Sequence, residues 1–425
     1  MTGILVGVTL HLKLMIKFRD YQSNIIFKGV KILYAYRFLY LAMEVRTGKT
    51  LTSLGIAASM ERCSEVLFLT KKKAISSIQS DYDLLSPDFN ITIINYESIH
   101  KVKQSGWDLI VCDESHSLGA FPKPNKRAKQ VKELIGRSKP YVILLSGTPT
   151  PESFSQMYHQ LYGIPTSPFK SFKNFYAFAK EYVKVTQRKI NGMFINDYSK
   201  GMQSIIDQVA LYKINYTQKL AGFDVKTTEK VLYVKLDKIT EKLISRIKRD
   251  RVIEGDGELL LADTPAKLMT KVHQLCSGTV KFESGNAMTI DYSKAKFIHK
   301  YFNKRKIAIF YKFTQEYKAL KEIYKDQITN DLEEFKSTDK SIALQIVSGR
   351  EGISLKEAGS LVYYNIDFSA TSYWQSRDRM TTSTRKENNI YWIFSEGGIE
   401  DSIYKAVVKK KDYTLSHFKR DLLDL

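Results

Sequence analysis

The chain has 425 residues, more than one hydrophobic core usually holds, so two domains of roughly 200 residues each are expected. Hydrophobic residues make up 43% and charged residues 26%, ordinary for a globular protein, while the three cysteines (Cys63, Cys112, Cys276) stand too far apart for a disulfide framework or a zinc site. The formal net charge of +21, from 66 Lys+Arg against 45 Asp+Glu, predicts a polyanionic partner, with nucleic acid first and an anionic membrane surface second.

The lysines are spread along the chain, so the excess belongs to a basic folded body rather than to a tail. The N-terminal run ILVGVTLHLKLMIKF (4–18) is apolar but interrupted by His11, Lys13 and Lys17; it is expected to be strand, being too short to span a membrane. Short apolar runs then recur between turn and charge signals: EVLFLT (65–70), ITIINY (91–96), DLIVCDE (108–114), YVILLSG (141–147), KIAIFYKF (306–313), IALQIVSG (342–349), LVYYNIDF (361–368) and NIYWIF (389–394). Segments with helical spacing separate them, as in TLTSLGIAASMERC (50–63). Continuous β-branched and aromatic strands alternating with helices predict parallel sheets covered on both faces. The pattern occurs twice, in 40–150 and 295–400. The middle, about 155–290, holds the aromatic cluster FKSFKNFYAFAKEYV, the turn RKINGMF, a charged helical stretch and the acidic loop EGDGE; it is expected to be helical elaboration with the inter-domain connection. A boundary near 225 gives domains 1–225 and 226–425.

The chemistry begins at LAMEVRTGKT (41–50). Gly48, Lys49 and Thr50 form the end of a phosphate-binding loop. Glycine lets backbone N–H groups approach phosphate oxygens, the lysine reaches the β/γ phosphates, and the threonine hydroxyl ligands Mg²⁺. The first glycine of a full loop of this kind would fall at Met43. WDLIVCDESH (107–116) is an apolar strand ending in Asp113, suited to hold Mg²⁺ opposite Thr50, and Glu114, suited to polarise an attacking water. YVILLSGTPTPE (141–152) ends in Ser146 and Thr148, small hydroxyl residues suited to sense a γ-phosphate and move.

In that order GKT, DESH and SGTP resemble the superfamily-two helicases, translocases with two RecA-like lobes. FRDYQ (18–22) resembles the upstream motif of that family, which makes Gln22 the reader of adenine. VLFLTKKKAI and INYES resemble its nucleic-acid contacts, which implies Thr70, Lys71, Asn95 and Tyr96. LMTKVHQLCSG (268–278), IAIFYKFTQE (307–316) and SGREGISL (348–355) resemble the second lobe of the Swi/Snf-type branch; Gly349, Arg350 and Gly352 match the motif that closes on nucleotide and DNA. In YWQSRDRMTTSTR (373–385), Gln375 and Arg379 match the arginine motif's glutamine and first arginine. Its second arginine falls on Thr382, so Arg385 is the candidate replacement, brought round by a bend in TTST, and Arg377 is left to solvent or DNA.

The resemblance covers residues 18–410 and implies an α/β fold of two RecA-like lobes with ATP and Mg²⁺ as cofactors. It implies a DNA-dependent ATPase that translocates on, unwinds or remodels DNA, with Arg379 and Arg385 stabilising charge on the transferring phosphoryl group. Size, lysine content and terse motifs resemble small phage-encoded helicases acting on branched or forked DNA, which implies a monomer in the host cytoplasm without membrane attachment. Two alternatives stand beside this: an RNA helicase, and a DNA-binding clamp or annealing protein with a weak motor.

Overall fold

The computed structural model describes residues 17–103, 106–190, 193–222, 225–255, 257–349, 353–382, 385–409 and 418; most of the N-terminal run expected to be strand lies outside them. The chain divides into two compact units, Met1–Gly222 and Phe223–Leu425.

Unit one is built on a six-stranded sheet. Its strands are β1 (Phe38–Met43), β2 (Glu65–Thr70), β3 (Asn90–Asn95), β4 (Leu109–Cys112), β5 (Tyr141–Leu145) and β8 (Lys213–Tyr216), in the order β3-β2-β4-β5-β1-β8 and all parallel. Successive residues serve opposite faces, as the pleat requires. Phe38, Tyr40, Leu67, Leu69, Ile110, Val142 and Leu144 pack on one side, and Leu39, Leu41, Val66, Phe68, Leu109, Ile143 and Leu145 on the other. Burial on both faces is why these strands read as continuous apolar runs. Between β5 and β8 an antiparallel hairpin, β6 (Thr186–Ile190) and β7 (Met193–Asp197), stands apart from the sheet.

Unit two repeats the plan. Its main strands are β9 (Lys226–Val234), β14 (Ile307–Tyr311), β15 (Ile328–Thr329), β16 (Ser341–Gln345), β17 (Ser360–Tyr363) and β18 (Glu387–Ser395), in the parallel order β15-β16-β14-β17-β18-β9. Two small hairpins, β10 (Val252–Gly255) with β11 (Glu258–Leu261) and β12 (Thr279–Lys281) with β13 (Ala287–Thr289), lie in the connection before β14. Phe310, Leu361, Tyr363, Ile390 and Trp392 fill one side of the sheet, and Ile309, Ala343, Val362, Tyr364 and Ile393 the other.

The middle of the chain departs from the helical expectation. β8 completes the first sheet beside β1, and β9 forms nine register pairs with β18, from Lys226↔Glu387 to Val234↔Ser395. Of the acidic stretch, Glu254 and Gly255 end β10 and Glu258 opens β11. IALQIVSG is strand only to Gln345; Ile346–Gly349 is a helical turn.

Candidate nucleotide site

The connection from β1 to the helix Lys49–Ala58 turns at two left-handed residues, Arg46 (φ 65°) and Gly48 (φ 76°). Gly48 is required twice: a positive φ strains other residues, and a Cβ there would lie 2.6 Å from Gln22 Nε2. The turn is held from outside. Thr47 Oγ1 donates to Glu44 O (2.7 Å), Tyr21 OH donates to Thr47 O (3.0 Å), and Gln218 N donates to the Glu44 carboxylate (2.7 Å). Gln22 is buried, with Nε2 donating to Thr52 Oγ1 (3.3 Å) and Gly48 O (3.5 Å), so the expected adenine reader sits against the loop itself. Gly147, after β5, passes close by: a Cβ there would meet Met43 O and Val45 N at 3.4 Å.

The ends of β4 and β5 are linked to this loop's lysine. Lys49 Nζ lies 3.6 Å from Glu114 Oε1, both side chains about 15% exposed. Glu114 occupies left-handed backbone (φ 48°), and its other oxygen lies 3.3 Å from His116 Nδ1. The same imidazole nitrogen lies 3.0 Å from Ser146 Oγ, which accepts from Thr148 N (3.1 Å). One polar chain therefore runs from the phosphate loop through the tip of β4 to the tip of β5. His116 stands in DESH two residues after Glu114, and that spacing is the sequence signal for its place in the chain.

Asp113 is buried beside this chain. Its Oδ2 accepts from Thr70 Oγ1 (2.9 Å), and its Oδ1 is buried with no hydrogen-bond partner among the described residues. Burial, and next the Glu114 charge, push the Asp113 carboxyl up to about 6 against the opposing pull of Lys49 and Thr70. An orphaned buried carboxylate oxygen fits a cation ligand, and the half-buried Thr50 opens the same helix as Lys49. Among the described residues no cluster of three His, Cys, Asp or Glu offers another metal site.

Several expected nucleic-acid contacts have other work. Thr70 is fully buried on Asp113. Tyr96 is 1% exposed, and its hydroxyl donates to Asp113 O (2.6 Å). Thr70 thus holds the Asp113 carboxylate and Tyr96 its backbone carbonyl, and both side chains are buried. Lys71 and Asn95, at the ends of β2 and β3, remain partly exposed.

In unit two the arginine stretch does not continue as one helix. The helix Ala370–Ser376 tightens into a 3₁₀ turn, Arg377–Met380, so Thr382 lies beyond it and shares no helix face with Arg379. Arg379 is 9% exposed, and its carbonyl accepts from Leu355 N (2.9 Å). Arg377 is neither solvated nor presented outward. It pairs with Glu229 (2.9 Å) and lies over the Trp374 ring (4.9 Å). Arg385 is also committed: Nε donates to Glu387 O (2.9 Å), Nη1 to Ala358 O (2.8 Å) and Lys356 O (3.3 Å), and Nη2 to Gly359 O (3.1 Å). It braces a loop with every arm of the guanidinium, spending four of its five N–H groups on backbone carbonyls. Arg350 and Gly352 lie outside the described residues, as does the side chain of Gln375.

A family model for the SNF2-related domain matches residues 41–281, which contain the phosphate loop, DESH and SGTP. Chromodomain-helicase-DNA-binding protein 1 of Gallus gallus and of Homo sapiens are each 22% identical over 365 residues, 76% of this chain and 20% of those proteins. The match thus spans about a fifth of the length of those relatives. Among solved structures, the Sulfolobus solfataricus SWI2/SNF2 ATPase core in complex with dsDNA superposes with a TM-score of 0.43 at 16% identity, covering 96% of this chain and 93% of that one. The Sulfolobus solfataricus SWI2/SNF2 ATPase core domain gives 0.43 at 15% identity, covering 93% and 89%.

Proposed function

From the premise that the chain belongs to the SNF2-related domain family, we propose that it is an ATP-driven DNA translocase that remodels or unwinds forked or branched DNA in replication, recombination or repair. The polar chain Lys49–Glu114–His116–Ser146 carries this reading, because it links a phosphate-binding lysine, a water-polarising carboxylate and a strand-tip sensor.

Lys49 binds the β/γ phosphates in place of its present partner, Glu114. Glu114, released from the lysine, orients the attacking water, and His116 keeps the carboxylate aimed from its far side. Thr50 and Asp113 would hold Mg²⁺, which when bound neutralises phosphate charge. Ser146 and Thr148 register loss of the γ-phosphate through His116 and pass the change along β5. Arg379 stabilises charge on the phosphoryl group in the transition state. Gln22 reads adenine, and Lys71, Asn95 and Arg350 bear on the DNA backbone, where basic charge supplies affinity.

The test compares ATP-dependent processing of a synthetic fork, a four-way junction and a tailed duplex. Faster processing of the first two is expected. Equal rates on all three would remove the branched-DNA preference, and stimulation by RNA alone would favour an RNA helicase.

A further inference from the structure

The helix Ala370–Ser376 carries the chain to Arg379, and hydroxyl groups fasten its buried face. Ser372 and Ser376 stand one turn apart on that face, and both are fully buried. Ser376 Oγ donates to Ser372 O (2.6 Å) and accepts from the hydroxyl of Tyr363, the last residue of β17. Ser372 Oγ donates to Asp367 Oδ2 (2.7 Å). A helix of seven residues is marginal by itself, so its register depends on what holds these hydroxyls from outside.

Asp367 in turn is held by Lys312. Lys312 Nζ lies 2.7 Å from Asp367 Oδ1, with side chains 16% and 14% exposed. Phe368 N donates to the same oxygen (2.9 Å), and the Lys312 ammonium lies 3.8 Å from the centre of the Phe368 ring. Burial pushes the Asp367 carboxyl up, but Lys312 and the Ser372 hydroxyl together hold it below its ordinary range.

Lys312 is fixed at its backbone as well. It follows β14, and its N–H donates to Glu316 Oε2 (2.7 Å), which also accepts from Phe313 N (3.0 Å). Glu316 is fully buried; its other oxygen accepts from Asn365 Nδ2 (2.6 Å), and Asn365 Oδ1 lies 2.6 Å from His273 Nε2. The Lys312 carbonyl accepts from Nε2 of Gln345 (3.1 Å), the last residue of β16 before the turn Ile346–Gly349. One residue therefore joins the end of β14, the end of β16 and the segment that leads from β17 into the arginine helix. A pair kept only for stability could be replaced by apolar side chains of like size. This one carries a further link, from the second carboxylate oxygen to the helix.

We propose that Lys312 is a positioning residue for Arg379: through Asp367 and Ser372 it sets the register of the arginine helix and ties it to the turn after β16. This rests on the reading of Arg379 as the residue that stabilises phosphoryl charge, and adds what aims it.

The test measures DNA-stimulated ATPase of the whole chain, with kcat and KM for ATP resolved. Lys312→Met is expected to lower kcat about tenfold with KM within about twofold of wild type, since a misplaced arginine weakens the transition state more than substrate binding. Ser372→Ala keeps the ion pair and removes its link to the helix; it is expected to lower kcat about fivefold with Tm near wild type. Lys312→Arg keeps the cation and is expected to recover most of the loss. In an Arg379→Ala background, Lys312→Met is expected to lower kcat no further, because it acts through that arginine. Full additivity of those two substitutions would overturn the proposal, as would normal kcat in both Lys312→Met and Ser372→Ala. A lower Tm in Lys312→Met with kcat per folded molecule unchanged would make the pair structural alone. Normal turnover in Arg379→Ala would instead overturn the reading of that arginine.

Discussion

Thr70 and Tyr96 show how the fold changes the meaning of a motif. Both stand at strand ends where the resemblance implies DNA contacts, yet Leu69↔Cys112 pairing of β2 with β4 brings Thr70 onto Asp113. Thr70→Val is therefore expected to lower kcat about tenfold by loosening a hydrogen-bonded carboxylate, with DNA affinity unchanged. Steady-state ATPase and DNA-binding isotherms separate the two roles; weakened DNA binding at normal kcat would return Thr70 to the DNA. Arg385 is treated likewise. Arg385→Ala removes donors from four backbone carbonyls in a half-buried site and is expected to cost about 2 kcal/mol of stability, read as a fall in Tm. Arg379→Ala is expected to leave Tm near wild type while cutting turnover at least about tenfold. A turnover defect in Arg385→Ala as deep as that in Arg379→Ala would restore Arg385 as the second arginine. The phosphate loop and DESH were legible in the sequence because their chemistry is local. The partners of Thr70, Tyr96, Arg377 and Arg385 were not, because each is set by strands or loops far away in the chain.

At the scale of elements, the central strands were legible because burial on both faces leaves them without polar interruptions. β9 was hidden because KTTEKVLYV, an edge strand, carries charged residues on both of its faces. One of those charges, Glu229, is put to use inside the unit: it accepts from Trp392 Nε1 (2.9 Å), Tyr373 OH (3.0 Å) and Tyr404 OH (3.2 Å) and pairs with Arg377. A second internal ion pair ties the helix Ser293–Phe302 to the helix Glu400–Val408. Lys294 and Glu400 meet at 2.7 Å with side chains 1% and 0% exposed. Lys294→Ala leaves a buried carboxylate unpaired and is expected to destabilise unit two by about 3–5 kcal/mol in denaturant titration. Lys294→Met/Glu400→Leu removes both charges and is expected to recover most of that loss. A double variant no better than the single one would show that the pair stabilises beyond its desolvation cost.

For the whole molecule, the +21 charge and the family membership point the same way. DNA affinity is expected to fall steeply with salt, by about a thousandfold between 50 and 200 mM for some six phosphate contacts. Composition points to a polyanionic partner, and motif order made the two-sheet plan legible. If ATP hydrolysis drives movement along DNA, the moving protein strips the third strand from a triplex-bearing duplex. Wild type with ATP is expected to displace the strand, and Glu114→Gln, binding ATP without hydrolysing it, is expected not to. Rapid DNA-stimulated hydrolysis by wild type without displacement would contradict translocation, and displacement by Glu114→Gln would contradict its coupling to hydrolysis.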